Sequence, residues 1–306
     1  MVPATRRWPE PVKWNERAAD LGYAAGWRVV RALPEGFACR AFDLAADLAA
    51  RRARSKTTQL HRNLARVLGV SPAEVPDALY RDAMRSYARY WREAFRLPSM
   101  DRAALAAAVD ADVEGQEHLD AAVAAGAGVV LALPHSGNWD VAGVWLVSHV
   151  GGFSTVAERL KPESLYVRFV AYRESLGFEI LPLTGGAESL IRGLVRRLRA
   201  GGVICLVGDR DLTKAGIPVR FFGEEARMPA GPARLAKSTG AALLPVHCWF
   251  TPQGWRIRIH PPVDPALDVA AATQAMADRF AEGIAAHPAD WHMLQPLWLS
   301  DVRRAP

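Results

Sequence analysis

The sequence is short of the features that assign a compartment or a cofactor directly. It has three cysteines, Cys39, Cys205 and Cys248, an odd number with no CxxC spacing. Neither a disulfide framework nor a zinc site is encoded, and a reducing compartment is expected. No run approaches the roughly 18 apolar residues of a membrane-spanning helix, and the N-terminus lacks the charged, apolar and small-residue order of a signal peptide. The expectation is a protein neither secreted nor threaded through a bilayer. No serine sits in a GxSxG elbow, which excludes the nucleophile of an α/β-hydrolase. His287 and His292 lack metal-ligand spacing and read as structural, so no metal and no bound cofactor are expected. Internal repeats, low-complexity tracts and recognisable nucleic-acid-binding motifs are missing as well.

What is present is globular: 50% of the 306 residues are apolar and 23% charged, enough for a sizeable core and against disorder. A net charge of +6 predicts attraction to polyanions, namely nucleic acid, an anionic lipid surface or a phosphate-bearing cofactor, without choosing among them. Residues 1–12, with Pro3, Pro9 and Pro11, read as a disordered lead-in, and residues 13–306 as a single domain. Its part from 13 to 100 has helical spacing, punctuated by Pro34 and Ser71-Pro72. The first helix carries Leu21, Tyr23, Trp27, Val30 and Leu33 beside Arg17, Arg28 and Arg31. It can lie in a membrane interface or pack its apolar face on the body, and amphipathicity alone fits both.

From 112 to 306 short β-rich runs alternate with helical stretches near residues 138–150, 162–177 and 187–199, which implies crossover connections. The runs Ala241–Phe250 and Trp255–His260, separated by Thr251-Pro252-Gln253-Gly254, read as a hairpin. The predicted class is therefore α/β, a mixed, mostly parallel sheet flanked by helices and preceded by a helical N-terminal region.

The buried run Val129–Leu133 stops at Pro134-His135-Ser136-Gly137-Asn138-Trp139-Asp140. Catalytic groups of open α/β sheets gather at carboxyl ends of strands, which makes His135 a candidate base. Gly137 permits a tight turn, Asn138 is a good N-cap, and the turn is expected to bring Asp140 back to the imidazole. A carboxylate on Nδ1–H would fix the tautomer and leave Nε2 as the base. The competing reading is a histidine that merely bonds a carbonyl. A second charged strand end, Gly208-Asp209-Arg210-Asp211-Leu212, leads through Val219–Gly223 to Pro229–Ala236.

Taken in order, His135–Asp140 with its histidine–four residues–aspartate spacing, Glu158-Arg159-Leu160, Gly208–Leu212, Val219–Gly223 and Pro229–Ala236 resemble the lipid A biosynthesis acyltransferase family. The likeness is nearest to its actinobacterial branch acting on phosphatidylinositol mannosides, and runs from about Leu21 to Trp298, including Arg62-Asn63-Leu64 and Tyr87–Trp91.

The resemblance implies transfer of a palmitoyl group from acyl-coenzyme A, as co-substrate, to the 6-hydroxyl of the mannose on inositol position 2 of phosphatidylinositol mono- or dimannoside. It implies a peripheral protein on the cytoplasmic face of the plasma membrane, with an anionic membrane surface and the glycolipid as partners and no nucleic acid. An acid at Asp209 is implied to help orient the histidine or bind the head group. Aspartate is one methylene shorter than the glutamate of some relatives, which leaves contact with His135 open. Glu158, Arg159, Arg173, Arg210, Asp211 and Arg227 are the implied substrate-binding residues, with surface ion pairs as the bland alternative. Thr184-Gly185-Gly186 before a helix, with Arg192 and Arg196 on it, offers a phosphate or coenzyme A site, against ordinary turn chemistry and a solvated face. Trp291 and Trp298 read either as an interfacial aromatic cluster or as core. Other acceptors, such as another glycolipid or a lysophospholipid, and a non-catalytic membrane-binding module, are the competing functions.

Overall fold

The computed structural model describes residues 26–52, 58–158, 163–183, 189–211 and 215–302. Residues 1–25, 53–57, 159–162, 184–188, 212–214 and 303–306 lie outside them. So do the expected lead-in, Leu21 and Tyr23, and, among the candidate site residues, Arg159, Thr184, Gly185 and Gly186.

Helices come first: residues 26–32 (α1), then α2 (Glu35–Arg52), α3 (Gln59–Leu68), α4 (Asp77–Arg96) and α5 (Arg102–Asp110). The alternating part follows as β1 (Val113–Glu114), α6 (Gln116–Ala124), β2 (Val129–Leu133), α7 (Trp139–Val150), β3 (Ser154–Ala157), α8 (Glu163–Ser175), β4 (Glu179–Pro182), α9 (Leu190–Arg199) and β5 (Val203–Val207). The chain then runs through β6 (Ile217–Phe221), β7 (Glu224–Met228), α10 (Gly231–Thr239), β8 (Ala242–Phe250), β9 (Trp255–Ile259), α11 (Val269–Ala286) and α12 (Leu299–Val302).

Among the described residues, seven strands form one sheet in the order β1-β9-β8-β2-β5-β3-β4, parallel at every pair except β8 with β9. The mixed, mostly parallel sheet and the β8–β9 hairpin are as the sequence predicts. β2 lies central and all five of its residues are buried, because helices cover both faces of a parallel sheet. Its side chains still alternate. Val129, Leu131 and Leu133 pack with Val144, Trp145 and Phe178, while Val130 and Ala132 pack with Leu198, Met276 and Phe280 on the opposite face.

Two features differ from the expectation. β6 and β7 form a separate antiparallel hairpin where the sequence suggested only a link, and its two-residue turn, Phe222-Gly223, has φ of 49° and 81°. Positive φ at both central positions matches the twist of paired strands, and the inward Val219 and Phe221 anchor the hairpin on the second core layer. Trp291 and Trp298 are fully buried, so the interfacial alternative fails and they are core. In α1, Trp27 packs on Phe95, Phe169 and Tyr172 and donates its Nε1–H to the Phe95 carbonyl at 2.8 Å, so that side of the helix faces the body. No described helix is long and apolar enough to cross a membrane.

Candidate active site

The register of two neighbouring strands builds the site. β2 and β5 run parallel with Leu133 opposite Val207, and the Gly208 amide donates to the Leu133 carbonyl at 2.8 Å. Two residues beyond Leu133 and Val207 stand His135 and Asp209, brought abreast by the pairing. Asp209 is fully buried and the His135 side chain is 33% exposed. His135 Nδ1 meets Asp209 Oδ1 at 2.6 Å, and the His135 amide donates to Oδ2 at 3.0 Å. Burial pushes the Asp209 carboxyl up, but the adjacent His135 ring and the N–H donors of His135 and Trp291 outweigh it and hold the group below its usual range. A carboxylate can only accept, so Nδ1 carries a proton and Nε2 is the ring nitrogen left to act as a base.

Asp140 therefore does not orient the histidine, contrary to the expectation. Asn138 caps α7 by accepting from the amides of Asp140 at 3.2 Å and Val141 at 3.1 Å, which fixes Asp140 in the first turn with its side chain turned inward. There it accepts from Arg173 Nε at 2.8 Å and from Tyr90 Oη at 3.2 Å. Burial works against the Arg173 charge, yet Asp140 overcomes it and makes the guanidinium harder to deprotonate than in water. Arg173 and Asp140 thus form one inward ion pair, whose reach to a ligand is through the exposed fifth of the Arg173 side chain.

The loop carrying His135 is clamped from the C-terminal side. Gly137 N–H donates to the Asp290 carbonyl at 2.9 Å and His292 N–H to the His135 carbonyl at 2.7 Å, while Trp291 Nε1–H reaches Asp209 Oδ2 at 3.0 Å. Gly137 sits at φ 57°, and a Cβ there would lie 2.7 Å from the Cys248 carbonyl group, so only glycine fits. Below it, Glu93 accepts from Asn138 Nδ2, Trp255 Nε1 and Arg89 Nε, each at 2.7 Å. The Ser136 amide is taken by the Pro134 carbonyl at 2.8 Å, which leaves the amides of Asn138 and Trp139 without a hydrogen bond among the described residues.

Trp139 stands edge-on to the His135 ring, centroids 5.6 Å apart, and also walls an apolar cavity between α7 and the sheet. Leu133, Ala142, Gly143, Leu146 and Val246 line it together with Cys205 and Cys248. Burial pushes the Cys205 thiol up to about 12 and raises Cys248 as well, so neither offers a thiolate nucleophile. Ser136 is buried against His247 Nδ1 at 3.3 Å and not on the His135 ring.

The other expected site residues are dispersed. Glu158 is exposed just after β3, whose end opens on the same rim as β2 and β5. Arg210 and Asp211 follow Asp209 half-buried, Asp211 Oδ2 accepting from the Gly216 amide at 2.7 Å, and Arg227 on β7 reaches the Gly216 carbonyl at 3.5 Å. Asp211 and Arg227 thus serve the base of the β6–β7 hairpin. Arg192 and Arg196 lie exposed on α9, and the neighbouring Arg197 is paired with Glu179. No metal-binding cluster occurs among the described residues. Sequence reasoning missed Glu93, Asp290 and the polar contact of Trp291; the only signal for the last two was a polar segment, His287 to His292, inside an otherwise apolar C-terminal part.

The site is thus a histidine–aspartate pair at the strand ends of a mostly parallel α/β sheet, with no serine or cysteine on the ring among the described residues. The chain belongs to the bacterial lipid A biosynthesis acyltransferase family, whose model matches residues 12–300. The phosphatidylinositol mannoside acyltransferase of Mycobacterium tuberculosis (strain CDC 1551 / Oshkosh) is 60% identical over 286 residues, covering 93% of this chain and 90% of the relative. The protein of the same name from Mycolicibacterium smegmatis (strain ATCC 700084 / mc(2)155) is 61% identical over 293 residues, covering 94% and 95%.

Proposed function

We propose that the chain transfers a palmitoyl group from palmitoyl-coenzyme A to the 6-hydroxyl of the mannose on inositol position 2 of phosphatidylinositol mono- or dimannoside. The clamped His135 Nδ1, held by buried Asp209 so that Nε2 is the nitrogen left to act as base, is the observation that carries this reading. Nε2 takes the sugar hydroxyl proton as the oxygen attacks the thioester carbon. Asp209 stabilises the imidazolium without taking the proton. The tetrahedral intermediate then collapses, the carbon–sulfur bond breaks, and the imidazolium returns its proton to the leaving thiolate, giving ester and free coenzyme A. The unpartnered amides of Asn138 and Trp139 are the donors for the oxyanion, a task a helix N-terminus suits electrostatically.

Arg173 and Glu158 bind the sugar or its phosphate, and Arg192 and Arg196 the coenzyme A phosphates. Phe37, Leu44 and Leu48 stand exposed on one face of α2, with Arg40, Arg51 and Arg52 on the same helix. That combination supports peripheral attachment to an anionic membrane, and the cytoplasmic face is proposed with it. Purified protein is assayed with palmitoyl-coenzyme A against mannosylated inositol lipids, a lysophospholipid and an unrelated glycolipid, with His135→Ala alongside. Acylation of the mannosylated lipids, lost in the variant, is expected; transfer only to another acceptor would sink this assignment.

A further inference from the structure

Asp209 is a fully buried carboxylate that no lysine or arginine touches among the described residues. Three N–H groups answer its charge, and two of them, the Nδ1–H at 2.6 Å and the amide at 3.0 Å, belong to His135 itself. Those two move with the residue that Asp209 has to orient. The third, Trp291 Nε1–H on Oδ2 at 3.0 Å, comes from outside the loop. Its indole is fully buried, edge-on to Trp298 at 6.0 Å and to Phe221 at 6.1 Å. The flanking backbone of Asp290 and His292 is bonded to Gly137 and His135. Trp298 occupies the same aromatic tier but gives its own Nε1–H to the Phe221 carbonyl at 2.9 Å.

Building on the reading of His135 as the base, we propose that Trp291 is a positioning residue: its indole N–H anchors Asp209 Oδ2, so that Oδ1 stays on His135 Nδ1 with part of its charge withdrawn. The indole shares the negative charge of the carboxylate. Without it more of that charge faces the imidazole and favours the protonated ring. The bond thus keeps the base available at lower pH, besides holding the carboxylate still.

The test compares wild type, Trp291→Phe and Trp298→Phe. The His135 ring is titrated by NMR on histidine-labelled protein, with its resonance identified by its loss in His135→Gln, and the pH dependence of acyl transfer is measured in parallel. Both tryptophan variants are expected to lower the melting temperature, since each removes a buried ring. Only Trp291→Phe is expected to move the His135 titration and the acid limb of kcat/KM, upward by about half a pH unit, so that transfer below the limb falls about threefold while the loss above it is smaller. An unmoved His135 titration in Trp291→Phe, or an equal shift in Trp298→Phe, overturns the proposal. Should the phenylalanine variant not fold, a benzothiophene analogue of tryptophan at 291, isosteric but lacking the N–H, serves for the same comparison. If His135→Gln retains transfer, the base assignment falls, and the NMR titration still decides the role of Trp291.

Discussion

Replacing Asp209 by asparagine changes one oxygen into an NH2 group, and the structure dictates which way the amide turns. Oδ2 faces two donors, the His135 amide and the Trp291 indole, each at 3.0 Å. The amide oxygen has to stay there, because the reverse orientation sets NH2 against two buried N–H groups. The NH2 then faces His135 Nδ1, which answers with a lone pair and moves its proton to Nε2, the nitrogen required as base. Restoring the working tautomer forfeits a charge-assisted hydrogen bond, about 1.5–3 kcal/mol, and leaves buried donors facing each other, about 1–3 kcal/mol more. The sum, about 2.5–6 kcal/mol, corresponds to a loss of roughly 10²–10⁴ in kcat, its upper end being the scale on which the same exchange acts in a Ser-His-Asp triad. Initial rates of coenzyme A release, read with a thiol reagent in the presence of glycolipid, measure it. KM for the donor should stay within a few-fold, and the melting temperature should change little because a buried charge is removed. An Asp209→Asn enzyme within tenfold of wild-type kcat would refute the reasoning.

Asp140→Asn leaves Arg173 without its counter-charge next to Tyr90. It should destabilise the fold by about 3 kcal/mol, seen as a melting temperature lower by about 5 °C, and an unchanged melting point would show that solvent already screens the pair. Gly137→Ala sets a Cβ 2.7 Å from the Cys248 carbonyl at a φ of 57°. Chemical denaturation should register a loss of about 2 kcal/mol or more, with at least a tenfold fall in transfer, and a fully active variant would mean that the loop relaxes freely. Burial lowers both His247 and His292 to about 3. Each is a base with a folded pKa below its unfolded one, so the stability it contributes is complete above about pH 6.5 and is lost as pH falls towards 3, at about 1 kcal/mol per pH unit per ring. Urea midpoints at pH 7.5, 6.5 and 5.5 should be level across the first interval and fall across the second; a level second interval contradicts the burial of these rings as neutral imidazoles.

The local features were legible because each depends on neighbours along the chain. A buried five-residue strand at Val129–Leu133, the Asn138 cap of α7, the helices near 163–175 and 190–199 and the β8–β9 turn all follow from periodicity, caps and turn chemistry. The β6–β7 hairpin was not legible. Its Pro218 and short runs look like a link, and it becomes a hairpin because Phe221 finds Trp291 and Trp298 in the core.

His135 itself was determined by sequence: a histidine at an abrupt strand end, followed by a glycine and a helix cap, can stand in few other places in an open α/β sheet. Its partner was decided by tertiary structure. Asp140, five residues away, has the closer position, but the cap that starts α7 fixes it towards Arg173. Asp209, 74 residues away, arrives beside the ring because parallel pairing of β2 and β5 sets the two strand ends in step. Trp291, a further 82 residues along, reaches the same carboxylate only through the packing of the C-terminal segment. Spacing along the chain measures how near two groups can come; strand register and helix capping decide which of them meet.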